Sequence, residues 1–214
     1  MAYTDSFAYS DGNLQTVSGG NWTNRDINLD VLSGSVVPHS VSNHNNCYYS
    51  AGGSAFADDQ YSECKIVGGT SVSATAWCGP AIRMNITTGA CYVAAYYANG
   101  ASSKVQLNYY NGTGLSATSG TPYTVTLTPT DVLRIEAVGS SLSLLVNGTV
   151  RDTWTHTTLT NGKAGLHAFA AVSVGDFILD DWGGGDVSAG VGGSDGPIIY
   201  VRRQFFVNDL IIQY

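Results

Sequence analysis

Val132-Leu133-Arg134-Ile135-Glu136-Ala137-Val138, a turn through Gly139-Ser140-Ser141, and the return run Ser141-Leu142-Ser143-Leu144-Leu145-Val146 form the clearest β-hairpin in the chain. The first run alternates apolar and polar residues with a period of two. A strand that buries one face and wets the other produces that pattern. Asn147-Gly148 follows and suits a two-residue type I′ turn, because both of its central positions need positive φ. A third antiparallel strand over Thr149–Thr155 is the consequence.

The same signals extend in both directions. Short runs rich in Val, Ile, Thr and Tyr alternate with Gly, Asn, Ser and Asp clusters, and none shows a 3.6-residue apolar period. Strands are expected near Asp26–Val31, Ser35–Pro38, Asn46–Ala51, Gln60–Val67, Pro80–Thr87, Cys91–Ala98 and Lys104–Tyr110. Others are expected near Tyr123–Leu127, Ala164–Phe169 and Val174–Trp182. So many strands need two packed sheets or a barrel.

Of 214 residues, 43% are hydrophobic and 12% charged, against about 25% charged in an ordinary domain. The chain can therefore build a large core, and it is not a charge-rich disordered segment or a coiled coil. A net charge of −7 with nine Lys and Arg leaves little to neutralise phosphates, so neither nucleic acid nor an anionic membrane is an expected partner. The opening MAYTDSFAYSDG has no basic segment followed by an apolar one, and no apolar run reaches membrane-spanning length. The expectation is synthesis in a cytoplasm without a signal peptide.

Cys47, Cys64, Cys78 and Cys91 lie far apart, without a CxxC pair or a histidine at ligand spacing. They are expected as buried free thiols, Cys64 in phase with Ile66 and Cys91 with Val93. Four Asn-x-Ser/Thr sites, at Asn21, Asn85, Asn111 and Asn147, carry no information in a chain this rich in Asn, Ser and Thr.

A composition break follows Trp182. Residues 183–196 are half glycine and read as a flexible linker after a domain spanning 1–182. Residues 197–214 (PIIYVRRQFFVNDLIIQY) are apolar and too few to form a core alone. They read as an assembly segment that binds another copy of the chain, a neighbouring protein or the domain's own edge.

An ordered series of motifs now carries a family resemblance: Asp5-Ser6-Phe7, Gly20-Asn21-Trp22, the run from Phe56 to Glu63, and Gly79-Pro80-Ala81-Ile82-Arg83 with Tyr92 downstream. Asp131-Val132-Leu133-Arg134-Ile135, Val146-Asn147-Gly148, Gly162-Lys163-Ala164-Gly165-Leu166 and the run from Asp176 to Trp182 complete it. Residues 3–182 thus resemble the concanavalin A-like lectin/glucanase superfamily, particularly its laminin-G-like jelly rolls. The resemblance implies an all-β, two-sheet antiparallel sandwich whose concave face is open to a ligand, often a sugar.

It also implies what an enzyme would need. Retaining glucanases of the superfamily carry Glu-x-Asp-x-x-Glu on one strand, since their two carboxyls must stand about 5 to 5.5 Å apart. This chain has only Glu63 and Glu136, without that spacing. Asp58-Asp59 and Asp180-Asp181 are neighbours that point to opposite faces of a strand. A lyase-like set of Arg83, Tyr92, Tyr96 and His167 keeps a polysaccharide-degrading enzyme open as the alternative. The resemblance further suggests a structural calcium where first and last strands meet, with Asp5, Asp180 and Asp181 as ligands.

Alternation places Tyr92 and Tyr96 on one face of their strand and Val93, Ala95 and Tyr97 on the other. On the preceding strand Arg83 and Asn85 oppose Ile82, Met84 and Ile86. Arg83, Asn85, Tyr92 and Tyr96 are therefore the expected carbohydrate-binding patch, because a pyranose stacks its apolar face on rings and gives its hydroxyls to planar donors. The combined reading is a non-enzymatic bacteriophage virion protein, a capsid decoration or tail component, that binds glycan on a host-cell surface. A bacterial surface glycan-binding module is the third reading.

Overall fold

The computed structural model describes residues 1–68 and 75–187. Its first strands are β1 (Ala2–Asp5), β2 (Gly12–Asn13), β3 (Trp22–Asn24), β4 (Leu29–Leu32), β5 (Ser35–Pro38), β6 (Asn43–Tyr49), β7 (Gln60–Gly68) and β8 (Trp77–Met84). Then come β9 (Cys91–Tyr97), β10 (Lys104–Tyr110), β11 (Leu115–Thr118), β12 (Tyr123–Thr124), β13 (Val132–Val138), β14 (Ser141–Val146), β15 (Thr149–Thr155), β16 (Lys163–Ala170) and β17 (Ile178–Asp186). A single helical turn, α1 (Leu14–Val17), is capped by the Asn13 side chain.

The strands form two antiparallel sheets. One has nine strands in the order β15-β14-β13-β7-β17-β5-β4-β2, with β1 also pairing β17. The other has eight, in the order β11-β10-β9-β8-β16-β6-β3, with β12 pairing β10. The expected two-sheet sandwich is the observed architecture.

The opening hairpin shows why. Leu133, Ile135 and Ala137 of β13 are fully buried, as are Leu142 and Leu144 of β14, while Arg134 and Glu136 keep one side in water. Leu133 pairs with Val146 and Ala137 with Leu142, so both strands send their apolar sets into the same layer. Asn147 at φ 52° and Gly148 at φ 75° make the turn into β15. Trp22, Trp182, Phe7 and Phe177 fill the space between the sheets, with Trp22 and Trp182 edge-on at 4.8 Å. All four cysteines are free and buried, and burial pushes each thiol well above its ordinary pKa.

Two boundaries move. The central strand expected at Pro80–Thr87 runs from Trp77 to Met84, and the glycine run expected to open a linker begins inside β17. Gly184 and Gly185 are there because of close approach: a Cβ on Gly184 would stand 2.4 Å from the Trp182 indole, and one on Gly185 2.3 Å from the Met1 carbonyl. The domain thus extends through Asp186. The rest of the expected linker, 188–196, and the segment 197–214 lie outside the described residues.

Candidate ligand-binding face

Strands β8 and β9 are buried at every position. A sandwich strand with one wet face cannot be, so the outer face of the eight-stranded sheet carries a cluster of its own. It contains Trp77, Ala81, Met84, Cys91, Val93, Ala95, Tyr97 and Tyr110, with Tyr48 and Phe169 packed against it half-buried.

Register assembles this cluster. Phe169 of β16 lies opposite Trp77 of β8 and His44 of β6, and His167 opposite Asn46. Alternation along β6 and β16 then turns His44, Asn46, Tyr48, His167 and Phe169 to one side. The His44 ring stands 4.4 Å from Tyr110 and 5.0 Å from Phe169. The His167 ring stands 4.7 Å from Trp77 and meets Tyr110 edge-on at 4.6 Å.

Within the rings runs a polar chain. His167 Nε2 stands 3.1 Å from His44 Nδ1, and its Nδ1 3.4 Å from Cys91 Sγ. Burial holds the His167 imidazole well below the ordinary histidine range, with His44 adding to the effect. His44 is lowered by burial too, against an opposing pull from Asp26. Burial thus disfavours the protonated form of both rings.

Asp26 closes the cluster. Its carboxylate accepts from Asn46 Nδ2 at 2.8 Å and from the Tyr110 hydroxyl at 3.0 Å, and Arg25 approaches at 3.7 Å. Burial first, then Asp26, pushes the Tyr110 hydroxyl up. The β8–β9 turn leans on this loop: a Cβ on Gly89, at φ 77°, would stand 3.0 Å from Asp26 Oδ2. Three buried side-chain polar atoms among the described residues have no partner, Asn24 Oδ1, Arg25 Nε and Asn108 Oδ1, although Asn108 donates to the Tyr97 hydroxyl. Trp77, Tyr110 and His167 form a closed floor at 1%, 2% and 0% exposure, and His44, Tyr48 and Phe169 show partial surface above it.

The expected patch is not assembled. Tyr92 and Tyr96, expected outward, point into the sandwich core at 0% and 5% exposure. Small Val93 and Ala95 take the outer face instead, beneath the ring cluster. Two tyrosines fit a core because their hydroxyls find partners. Tyr92 accepts from Leu159 N and bonds His156 Nδ1, and Tyr96 accepts from Leu127 N. Arg83 sits on a bulge at φ 51°, 1% exposed, where its guanidinium donates to the carbonyls of Asp58, Leu159 and Gly139. The bulge shifts the phase, so Ile82 joins the inner core and Met84 the outer cluster. Asn85 is exposed and caps its turn by accepting from Thr87 N and Thr88 N. The lyase-like set is also divided, with Tyr92 and His167 in different layers.

First and last strands do meet, Asp5 pairing with Trp182, but their carboxylates serve the chain itself. Asp5 accepts from Phe7 N, the Tyr9 hydroxyl and Trp22 Nε1. Asp181 pairs with Lys65, and Asp180 accepts from Asp181 N. Among the described residues no three His, Cys, Asp or Glu side chains are placed to hold a metal ion.

No family model and no curated protein sequence matches this chain. Solved structures do. Carbohydrate binding module CBM66 from Bacillus subtilis is 16% identical, with TM-score 0.53, covering 75% of this chain and 91% of its own. The carbohydrate recognition domain of Emp46p is 13% identical, with TM-score 0.54, covering 87% and 97%. A β-1,3-1,4-glucanase (lichenase) derived from a mouse hindgut metagenome is 12% identical, with TM-score 0.54, covering 87% and 99%. The shared fold is the two-sheet antiparallel jelly-roll sandwich. At these identities the likeness fixes architecture alone, and function must come from the residues.

The ring cluster of this sandwich leaves little trace in the sequence because its members are scattered over five strands. Its one local signal is the period-two series His44, Asn46, Tyr48 and its partner His167, Phe169. Both place planar polar or ring side chains where an ordinary wet face would carry Thr, Ser or Lys.

Proposed function

We propose that this protein is a non-catalytic glycan-binding module whose binding surface is the outer face of the eight-stranded sheet. One observation carries the reading: that face presents the half-buried rings of His44, Tyr48 and Phe169 over a closed aromatic floor, while the eight strands of the sheet contain no aspartate or glutamate at all. Sugar recognition uses the first, and glycoside hydrolysis through paired carboxyls needs the second. Glu63 and Glu136 stand on the other sheet, both bound to Arg134 at 2.9 and 2.6 Å. Asp26, beside the face, is held by Asn46 and Tyr110, with no second carboxylate among its partners in the described residues. Carbohydrate-binding neighbours of the same fold support the reading, and glucanase neighbours make the alternative worth testing.

Placement on a bacteriophage virion, facing host glycans, belongs to the same proposal. It draws on the sequence alone: a low-charge β domain, a glycine-rich run and an apolar terminal segment. A glycan array with the full chain, paired with a reducing-end release assay on bound polymers, tests the function. Binding that Phe169→Ala and Tyr48→Ala weaken at unchanged melting temperature, with no sugar released, is the expected result. Release of reducing ends identifies a depolymerase instead.

A further inference from the structure

A second pocket lies where segments 54–59, 85–88 and 159–163 converge. It has a volume of about 370 Å³, and Phe56, Asn85, Ile86, Thr87, Asn161 and Lys163 contribute to its lining. Two buried side chains hold these segments together. The Arg83 guanidinium bonds carbonyls at Asp58, Gly139 and Leu159. Gln60 accepts from Arg83 N and donates to the carbonyls of Ala57 and Gly162. Gly162, at φ 140°, comes so near that a Cβ would stand 2.4 Å from the Arg83 carbonyl carbon. The pocket is thus preorganised, which lowers the cost of binding.

Its chemistry is mixed. Ile86 is 56% exposed and the Phe56 ring half-buried, giving apolar surface. Among the described residues Asn161 has no hydrogen-bond partner and is exposed. Among the described residues Lys163 shares with Lys104 and Arg151 the lack of a carboxylate partner, and of the three it is the one that lines this pocket. Arg25, Lys65, Arg83 and Arg134 each face a carboxylate, and Lys104 and Arg151 lie over the rings of Tyr97 and Tyr123. Lys163 donates to the Ser54 carbonyl, 6.0 Å from the Phe56 centroid, and meets no carboxylate among the described residues. In a chain of net charge −7, an ammonium without an acidic partner inside a ring-and-amide pocket is suited to an external anion.

We propose that this pocket is a second binding site, separate from the ring-lined face, for a carboxylate-bearing sugar, a uronic acid unit of an acidic glycan. Lys163 meets the carboxylate, Phe56 and Ile86 take the apolar face of the ring, and Asn161 and Thr87 bond its hydroxyls.

Amide chemical shifts of the full chain titrated with trigalacturonate, and with the neutral galactose trisaccharide as reference, test this. Trigalacturonate at millimolar concentration should move residues 56, 85–87 and 161–163, and the neutral sugar should move them far less. Lys163→Gln should weaken binding about tenfold, the loss of one contact of roughly 1.4 kcal/mol, with Lys163→Arg retaining it. Should Lys163→Gln lower the melting temperature, Asn161→Ala, which breaks no side-chain hydrogen bond among the described residues, must show a loss of its own. No shift at these residues, equal response to the neutral sugar, or equal affinity in the variants overturns the proposal. Shifts confined to His44, Tyr48 and Phe169 overturn it too, while leaving the glycan-binding reading intact.

Discussion

Strands β7 and β13 on one side of the sandwich and β8 and β9 on the other do opposite things with the same backbone geometry. In the first pair every second residue is wet: Glu63, Arg134 and Glu136 form a bonded trio on the outer face, with the Arg134 guanidinium 3.6 Å over the Tyr61 ring. In the second pair both faces are dry. A sheet face becomes a second core when its small residues, here Ala81, Val93 and Ala95, form a bed for rings supplied by neighbouring strands. The fully buried His167 and Asn46 are bonded to the half-buried His44 and Asp26 and so can stay out of water.

The sharpest test of this contrast is Trp77→Ala. If the outer cluster is a true core, the loss should be about 3 to 5 kcal/mol, as for any large buried aromatic, read from urea unfolding at pH 7. A loss under about 1 kcal/mol would mean a surface ring. Arg83→Met should cost somewhat less, about 2 to 3 kcal/mol, because three loop carbonyls lose a charged donor. Its effect should appear as well in faster hydrogen exchange at residues 139 and 159.

Acid should distinguish the two faces next. His167 is held below its unfolded value near 6.5, chiefly by burial. Its contribution is therefore fully present above that pH, and falls as the unfolded chain takes up the proton that the folded chain refuses. Between pH 6.5 and 5 the stability should decline by up to about 1.4 kcal/mol per pH unit on account of this residue. His167→Phe should flatten that slope, and an unchanged slope would show that the ring titrates freely. The smallest effect belongs to the wet face. Glu136→Gln should shift stability by no more than about 1 kcal/mol, since Arg134 keeps Glu63 and both groups are partly solvated.

Where one face of a strand meets water, the residues announced it. Leu133, Ile135 and Leu144 lie where alternation puts them, and Asn147-Gly148 turns as its chemistry requires. Where both faces are dry, alternation separates two sets without saying which is inside. Ring chemistry suited to a sugar points Tyr92 and Tyr96 outward, and the structure turns them inward. Partners far along the chain, Leu127 and Leu159, hold them there. The bulge at Arg83 hides in the same way, because a residue at φ 51° inverts the phase of everything after it without any change in composition. Gly184 reads as linker until Trp182 is seen lying against it. The outer cluster was least legible of all, being assembled by register among β6, β8, β9, β10 and β16.

The place of β17 has a consequence for how the molecule comes into being. It pairs with β7 along one edge and with β5 and β1 along the other, so the strands of the nine-stranded sheet that precede it form three unjoined groups, β7 with β13–β15, β2 with β4 and β5, and β1 alone, until residues 178–186 arrive. Leu179, Trp182 and the glycines after it are the seam. A chain emerging in order from its N-terminus cannot join these groups until that seam is made, and pairs so distant in sequence close slowly. Refolding should accordingly be a slow, single event, and a chain stopped before Ile178 should remain aggregation-prone even though it contains most of the strands.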